Sequence, residues 1–181
     1  MKKWFNKRSV LIALFSFAIF ANTTLNDYNL DDELVSRGHK ITAANSKASF
    51  TDLFTTPYEV LNIKKKHGYR PLTLASFYFE HRLFGESAFI SHLINVILYS
   101  ILCFCLYLLL IRLFSSYSDD LLLLTCLLFA CLPIHTEVVA SIKNRDEIQA
   151  LLFLLIALLF TIVWIHKKKV ILLPLIACFL S

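Results

Sequence analysis

Pro133-Ile134-His135-Thr136-Glu137-Val138-Val139-Ala140, closed by Asn144-Arg145-Asp146-Glu147, lies between two strongly apolar runs. It places an imidazole, several ionisable side chains and a proline at a membrane boundary. Each charge near hydrocarbon raises the free energy unless it lines a polar cavity. The stretch therefore reads as the rim of a functional cavity. A second acidic cluster, Asp27 with Asp31-Asp32-Glu33, follows the first apolar run. If both clusters lie on the same side of the membrane, they can form one site.

The rest of the chain supports a membrane setting. Of 181 residues, 57% are hydrophobic and 17% charged, and the mean hydropathy is +0.66. That composition lies outside the soluble globular range and predicts several membrane spans. Only three glycines and four prolines occur, which argues against linkers and low-complexity segments. The sequence pI of about 9.0 comes mostly from lysines and arginines beside the apolar runs, where they act as topology signals. No nucleic-acid partner is expected. Cys103, Cys105, Cys126, Cys131 and Cys178 all lie inside apolar runs and read as small buried hydrophobes, not zinc ligands.

Spans are predicted at about 9–25, 88–111, 119–134, 148–165 and 170–181, with exported loops at about 26–86 and 135–147. The first span reads as uncleaved, because Ile19 and Ala21 make a poor cleavage signal. The third is short for a complete crossing, and Pro133 breaks it. Lys2 to Arg8 and Lys167 to Lys169 place the N-terminus and the end of the fourth span in the cytoplasm. Both acidic clusters then face out of the cytoplasm. Lys143 and Arg145 fall outside as well, against the positive-inside trend, beside compensating acids. In the first loop, Phe50 to Phe54 and Tyr58 to Leu61 read as short amphipathic helices on the membrane surface. Lys64 to Gly68 reads as a basic turn.

Tyr69-Arg70-Pro71-Leu72-Thr73, Phe84-Gly85 and His92-Leu93-Ile94-Asn95 at the head of a span resemble a family of membrane glycosyltransferases. Pro133 to Ala140 followed by Arg145 resembles that family more specifically. It comprises the transmembrane and tetratricopeptide-repeat O-mannosyltransferases and their bacterial relatives, within the GT-C class. Leu132 stands where the family usually has histidine, and Asn144 and Asp146 stand where it usually has glycine and a small residue. The resemblance implies an all-α, polytopic GT-C-like helical bundle in a bacterial inner membrane, representing the N-terminal part of the catalytic module. It also implies inverting transfer of a sugar, mannose first, from a polyprenyl phosphate to an exported protein hydroxyl or a glycan.

Such a transfer needs a base for the acceptor hydroxyl, groups that stabilise the departing phosphate, and a cleft open to lipid. In the GT-C class the base is an acid in the first exported loop. Asp31 matches, with Asp32 second and Asp27 weaker, although Asp31-Asp32-Glu33 also fits a helix N-terminal cap. The resemblance puts Glu137 and His135 at the cavity, Glu137 orienting base or acceptor and His135 meeting phosphate. Arg70 and Arg145 are candidate phosphate partners through bidentate hydrogen bonding; interfacial snorkelling is the alternative. Asp146 and Glu147 are weak candidates for a divalent metal. His92 and Asn95, one turn apart, either face the cavity or make a polar contact between helices. A transporter subunit or an inactive structural fragment are the rival readings. The first predicts charges near span centres, whereas these lie at span ends.

Overall fold

The computed structural model describes residues 6–167 apart from 30, 33–34, 37–38, 44–45, 58 and 63–64, with side chains described outside 58–67 and 166–167. The expected run 170–181, Cys178 and Glu33 lie outside the described residues.

Helix α1 (Lys7–Phe20) starts at a reciprocal cap: Asn6 Oδ1 accepts from the Ser9 amide at 2.7 Å, and Ser9 Oγ accepts from the Asn6 amide at 3.1 Å. A 3-10 turn, Ala21–Leu25, extends it, so Lys7–Leu25 is long and apolar enough to cross a membrane. Helix α2 (Pro71–Phe84) follows the first loop, with Pro71 at its first turn, where a missing N–H is harmless. Gly85 ends it at φ 73°, a conformation that favours glycine, and turns the chain into α3 (Ala88–Leu113). Its 26 residues extend about 39 Å at 1.5 Å per residue, more than a hydrocarbon core requires. After a turn, α4 (Asp119–Ala130) is capped by Ser118. A break at Cys131 to Pro133 bends α5 (Ile134–Ala140) by 66° from α4. Proline at the junction explains the break. Helix α6 (Arg145–Lys167) completes the bundle, and its Arg145–Ile165 stretch is a third candidate span. The described helices thus form an all-α membrane bundle with three candidate spans, or four if α4 and α5 count as one.

Two expectations for the first loop are corrected. Phe50–Phe54 is indeed a short 3-10 helix. Glu59 to Leu61, expected within a short helix over Tyr58 to Leu61, fall in strand β1 (Glu59–Asn62), and the expected basic turn contains strand β2 (Lys65–His67). The two pair antiparallel, Glu59 opposite His67 and Val60 opposite Lys66. Lys residues are compatible with an edge strand, where the unpaired backbone faces solvent. The second difference is α2 itself, fourteen residues of helix inside a segment read as loop. Cys131 is also exposed, unlike Cys103, Cys105 and Cys126; it sits at the break where α4 stops covering itself.

Helix α3 is the axis of the bundle. Phe20 at the end of α1 meets Tyr99 of α3 edge-on at 5.1 Å. At the other end of α1, Arg8 Nη2 lies 2.7 Å from Asp120 Oδ1 at the start of α4. Helices α1 and α4 therefore start at one end of the bundle, and α3 and α6 start at the other. The bundle core includes Ile12, Tyr99, Leu102, Cys103, Cys126 and Leu155. Two buried serines bond within their own helices, Ser16 Oγ to the Ile12 carbonyl at 2.8 Å and Ser100 Oγ to the Val96 carbonyl at 2.7 Å. A second, smaller core of Val35, Ile41, Leu53, Leu74, Phe77 and Ile142 caps the end where α3 and α6 begin. That cap carries the candidate site.

Candidate functional site at the capped end

The first loop and the turn between α5 and α6 meet, as the two-cluster reading requires. Asp32 is buried and acts as the joint. Its Oδ1 accepts from the Lys143 amide at 2.8 Å and from Ser141 Oγ at 3.4 Å, and its Oδ2 accepts from the Asn29 amide at 2.9 Å. Two backbone amides and one hydroxyl thus converge on a single buried carboxylate and join the first loop to the turn before α6. Asp31, its neighbour, points outward with a side chain 68% exposed, 3.6 Å from Lys143 Nζ. Asp27 is exposed, its Oδ1 accepting from the Tyr28 amide at 2.8 Å. His92 lies at the same junction with its Nε2 3.5 Å from the Asp27 carbonyl oxygen.

Arg145 has a different setting from Asp31. It is wholly buried, and its Nη1 lies 2.6 Å from Glu80 Oε2. Its Nε donates to Asn95 Oδ1 at 2.8 Å, its Nη2 to the Ser91 carbonyl at 3.0 Å, and its Nη1 also to Ser76 Oγ at 3.3 Å. The guanidinium rests 4.0 Å from the centre of the Phe77 ring. Glu80 Oε1 in turn accepts from Ser91 Oγ. Asn95 closes the circuit by donating to the Ser141 carbonyl at 3.0 Å, so the polar-contact alternative describes it. This knot ties α2, α3 and α6 together. The guanidinium is enclosed by this knot and has no exposed surface.

Glu80 was absent from the candidates read in the sequence, although a signal existed. Thr73, Leu74, Phe77, Glu80 and His81 recur at helical spacing, and all are buried. The pattern marks an inward face with two ionisable members. His81 on that face holds the first loop: its Nδ1 is 2.7 Å from the Thr42 carbonyl oxygen and its Nε2 3.2 Å from Ser36 Oγ.

Two clefts flank the start of α6. One, of about 550 Å³, is lined by Tyr69, Arg70, Asp146, Gln149 and Phe153 among others. Here Arg70, half exposed, forms an ion pair with the buried Asp146. Thr73 Oγ1 donates to Gln149 Oε1 at 2.7 Å and fixes α2 against α6. The other cleft, of about 430 Å³, is lined by Tyr99, Phe129, His135, Glu137, Asn144 and Glu147 among others. The His135 ring packs 4.4 Å from Phe129 and 5.6 Å from Tyr99, and its Nε2 is buried without a hydrogen-bond partner among the described residues. Glu137 and Glu147 are exposed. Glu147 borders both clefts. Asp146 is engaged by Arg70, and no grouping of three or more metal-type ligands occurs among the described residues.

Of the candidates, Asp31 and Asp32 are therefore brought to the Ser141–Lys143 turn, while His135, Glu137 and Glu147 share one cleft. Arg70 and Asp146 line the other, and Arg145 is enclosed between the helices.

Fold and site together define a multi-pass helical membrane protein whose candidate site residues gather at one end of the bundle. Comparison with known sequences gives the relationship. The chain is 31% identical over 151 residues to the human protein O-mannosyl-transferase TMTC2, a match covering 78% of this chain and 17% of that protein. It is 39% identical over 99 residues to mouse protein O-mannosyl-transferase TMTC1, covering 50% of this chain and 10% of that protein. Mouse protein O-mannosyl-transferase TMTC3 is 31% identical over 109 residues, 60% of this chain and 11% of that protein. The chain is thus a relative of the TMTC-type protein O-mannosyltransferases, spanning less than a fifth of their length. No protein-family model matches the chain, and no solved structure matches it.

Proposed function

We propose that this chain forms part of a GT-C-like glycosyltransferase that moves a mannosyl group from a polyprenyl phosphate to an exported hydroxyl, first of all a protein serine or threonine. The observation that carries the reading is the docking of the acidic pair Asp31-Asp32 onto the Ser141–Lys143 turn, which leads into Asn144 at the edge of the His135–Glu137 cleft. The names of the relatives supply the sugar and the protein acceptor.

The residues divide the work by exposure. Asp32 is enclosed and holds the two loops together, whereas Asp31 is reachable by an acceptor. Asp31 is the general base. It takes the proton of the acceptor hydroxyl as that oxygen bonds to the anomeric carbon, and the bond from that carbon to the phosphate oxygen breaks. The lipid phosphate leaves on the opposite face, which inverts the anomeric centre. Arg70, at the start of α2 and half exposed, is the cation placed to meet that phosphate. Glu137 and His135 line the aromatic-walled cleft, where carboxylates suit sugar or acceptor hydroxyls better than phosphate. Arg145 orients the α2–α3–α6 junction and does not touch donor.

The test is transfer of radiolabelled mannose from polyprenyl-phosphate mannose into protein, in membranes carrying the full-length protein. Asp31→Asn is expected to lower the rate about 100-fold or more at matched expression, and Glu137→Gln by less. Transfer that survives Asp31→Asn would remove Asp31 from the role of base. Absence of transfer from every lipid-linked sugar tried would overturn the enzyme reading.

A further inference from the structure

We propose that Lys143 is a positioning residue for the proposed transfer, holding the Asp31 carboxylate in its working orientation; the inference rests on the sugar-transfer reading above. By sequence, Lys143 is an anomaly, a cation on the face where the positive-inside trend disfavours one. The structure gives it two contacts with one acidic pair. Its amide donates to Asp32 Oδ1 at 2.8 Å, and its Nζ stands 3.6 Å from Asp31 Oδ2. Backbone and side chain of one residue thus register both acids of a loop more than a hundred positions away in sequence.

The local anchoring makes this geometry firm at one end and adjustable at the other. Ser141 and Asn144 fix the turn, Ser141 through its carbonyl to Asn95 at 3.0 Å and Asn144 through its side chain to the Glu137 carbonyl at 3.4 Å. Ile142 between them is fully buried in the cap core. The Lys143 backbone is therefore held from both sides, while its side chain remains 24% exposed. An exposed carboxylate has several rotamers of similar energy, and a nearby ammonium favours the one that faces it.

The alternative for a cation in this place is binding of the donor phosphate. Inversion argues against it. The acceptor and its base approach one face of the anomeric carbon, and the phosphate departs from the other. A cation in direct reach of the base stands on the base's side. Arg70 lines a cleft that includes neither Asp31 nor Lys143, so it does not have this problem.

The experiment compares wild type, Lys143→Met and Lys143→Arg in the mannose-transfer assay, with donor concentration varied. Lys143→Met is expected to lower kcat about tenfold, with the donor KM within about twofold of wild type. Lys143→Arg is expected to restore most of the loss, because it keeps the charge. In an Asp31→Asn background, Lys143→Met is expected to add nothing, since the group it orients is gone. Carbodiimide treatment of the wild-type membranes should join the two side chains by an amide with loss of water, read as an Asp31–Lys143 cross-linked peptide by mass spectrometry. A raised donor KM with intact kcat would overturn the proposal in favour of phosphate binding. Unchanged kinetics in Lys143→Met, equal loss in Lys143→Arg, an undiminished effect in the Asp31→Asn background, or absence of the cross-link would each overturn it. Failure of the sugar-transfer reading is recognised separately: wild type itself then transfers no sugar.

Discussion

Lys143 and Arg145 are two residues apart on one turn, and each faces a carboxylate, yet their surroundings are opposite. Arg145 is wholly buried against Glu80, with Asn95, Ser76 and the Ser91 carbonyl around it. Lys143 keeps a partly exposed ammonium beside a largely exposed Asp31. Removing one partner of a buried pair strands a charge where water cannot reach it, whereas an exposed pair is screened and replaceable. The buried pair fixes where α2, α3 and α6 meet, and the Lys143–Asp31 pair stays open to solvent.

The largest effect should come from breaking the buried pair. Arg145→Ala or Glu80→Ala is expected to destabilise the detergent-solubilised protein by about 3–5 kcal/mol, seen as a large drop in thermal midpoint. Replacing both together, Glu80→Leu with Arg145→Met, should restore much of the loss, because no charge is then stranded. If either single variant melts like wild type, the knot does not hold the junction. Asp32→Ala comes next. It leaves the amides of Lys143 and Asn29 without their acceptor and should cost about 1–3 kcal/mol. Faster proteolysis of the first loop would report it. Thr73→Val cuts the hydrogen bond to Gln149 and should cost about 1 kcal/mol by the same melting assay. Lys143→Met should change stability by less than about 1 kcal/mol, because its pair is exposed. A loss as large as that of Arg145→Ala would erase the contrast between the two cations.

The same contrast explains what the sequence could reveal. The long spans were legible because hydropathy depends on local composition. Expected at 88–111 and 148–165, they are found at Ala88–Leu113 and Arg145–Lys167. The break at Pro133 was legible because proline acts on its own neighbourhood. Helix α2 was not, since Glu80, His81 and Arg82 interrupt its apolar pattern and made the segment read as loop. Two of those polar residues face inward toward partners distant in the chain, Glu80 toward Arg145 and His81 toward Thr42 and Ser36. A long-range pair leaves no trace in either local window. Topology led to the expectation that the first loop and the 135–147 segment share one side, and Asp32 does contact the Ser141–Lys143 turn. The division between a buried Asp32 and an exposed Asp31 depends on which side of one turn each residue occupies.

His39 adds a third case, a titratable group buried without a carboxylate partner among the described residues. Burial lowers its pKa from the usual value for histidine, with Lys40 acting in the same direction and the Pro57 carbonyl opposing. Its Nε2 lies 3.1 Å from that carbonyl oxygen, and its Nδ1 accepts from the Ile41 amide at 3.3 Å. A proton added at Nδ1 would face the Ile41 N–H and abolish that bond. Because the folded pKa is depressed, the unfolded loop binds the proton more readily, so stability falls as pH drops. The contribution is intact above the unfolded pKa of about 6.5. It declines as pH falls through that value toward the lowered folded one, and is flat below it. The expected outcome is modestly faster hydrogen exchange at the Ile41 and Thr42 amides at pH 5.5 than at pH 7.5, after correction for intrinsic rates. His39→Gln keeps a donor and an acceptor but cannot titrate in this range, so it should remove the pH dependence. An equal pH dependence in that variant would assign the effect to other groups and leave burial alone, without a charge partner, energetically silent in this loop.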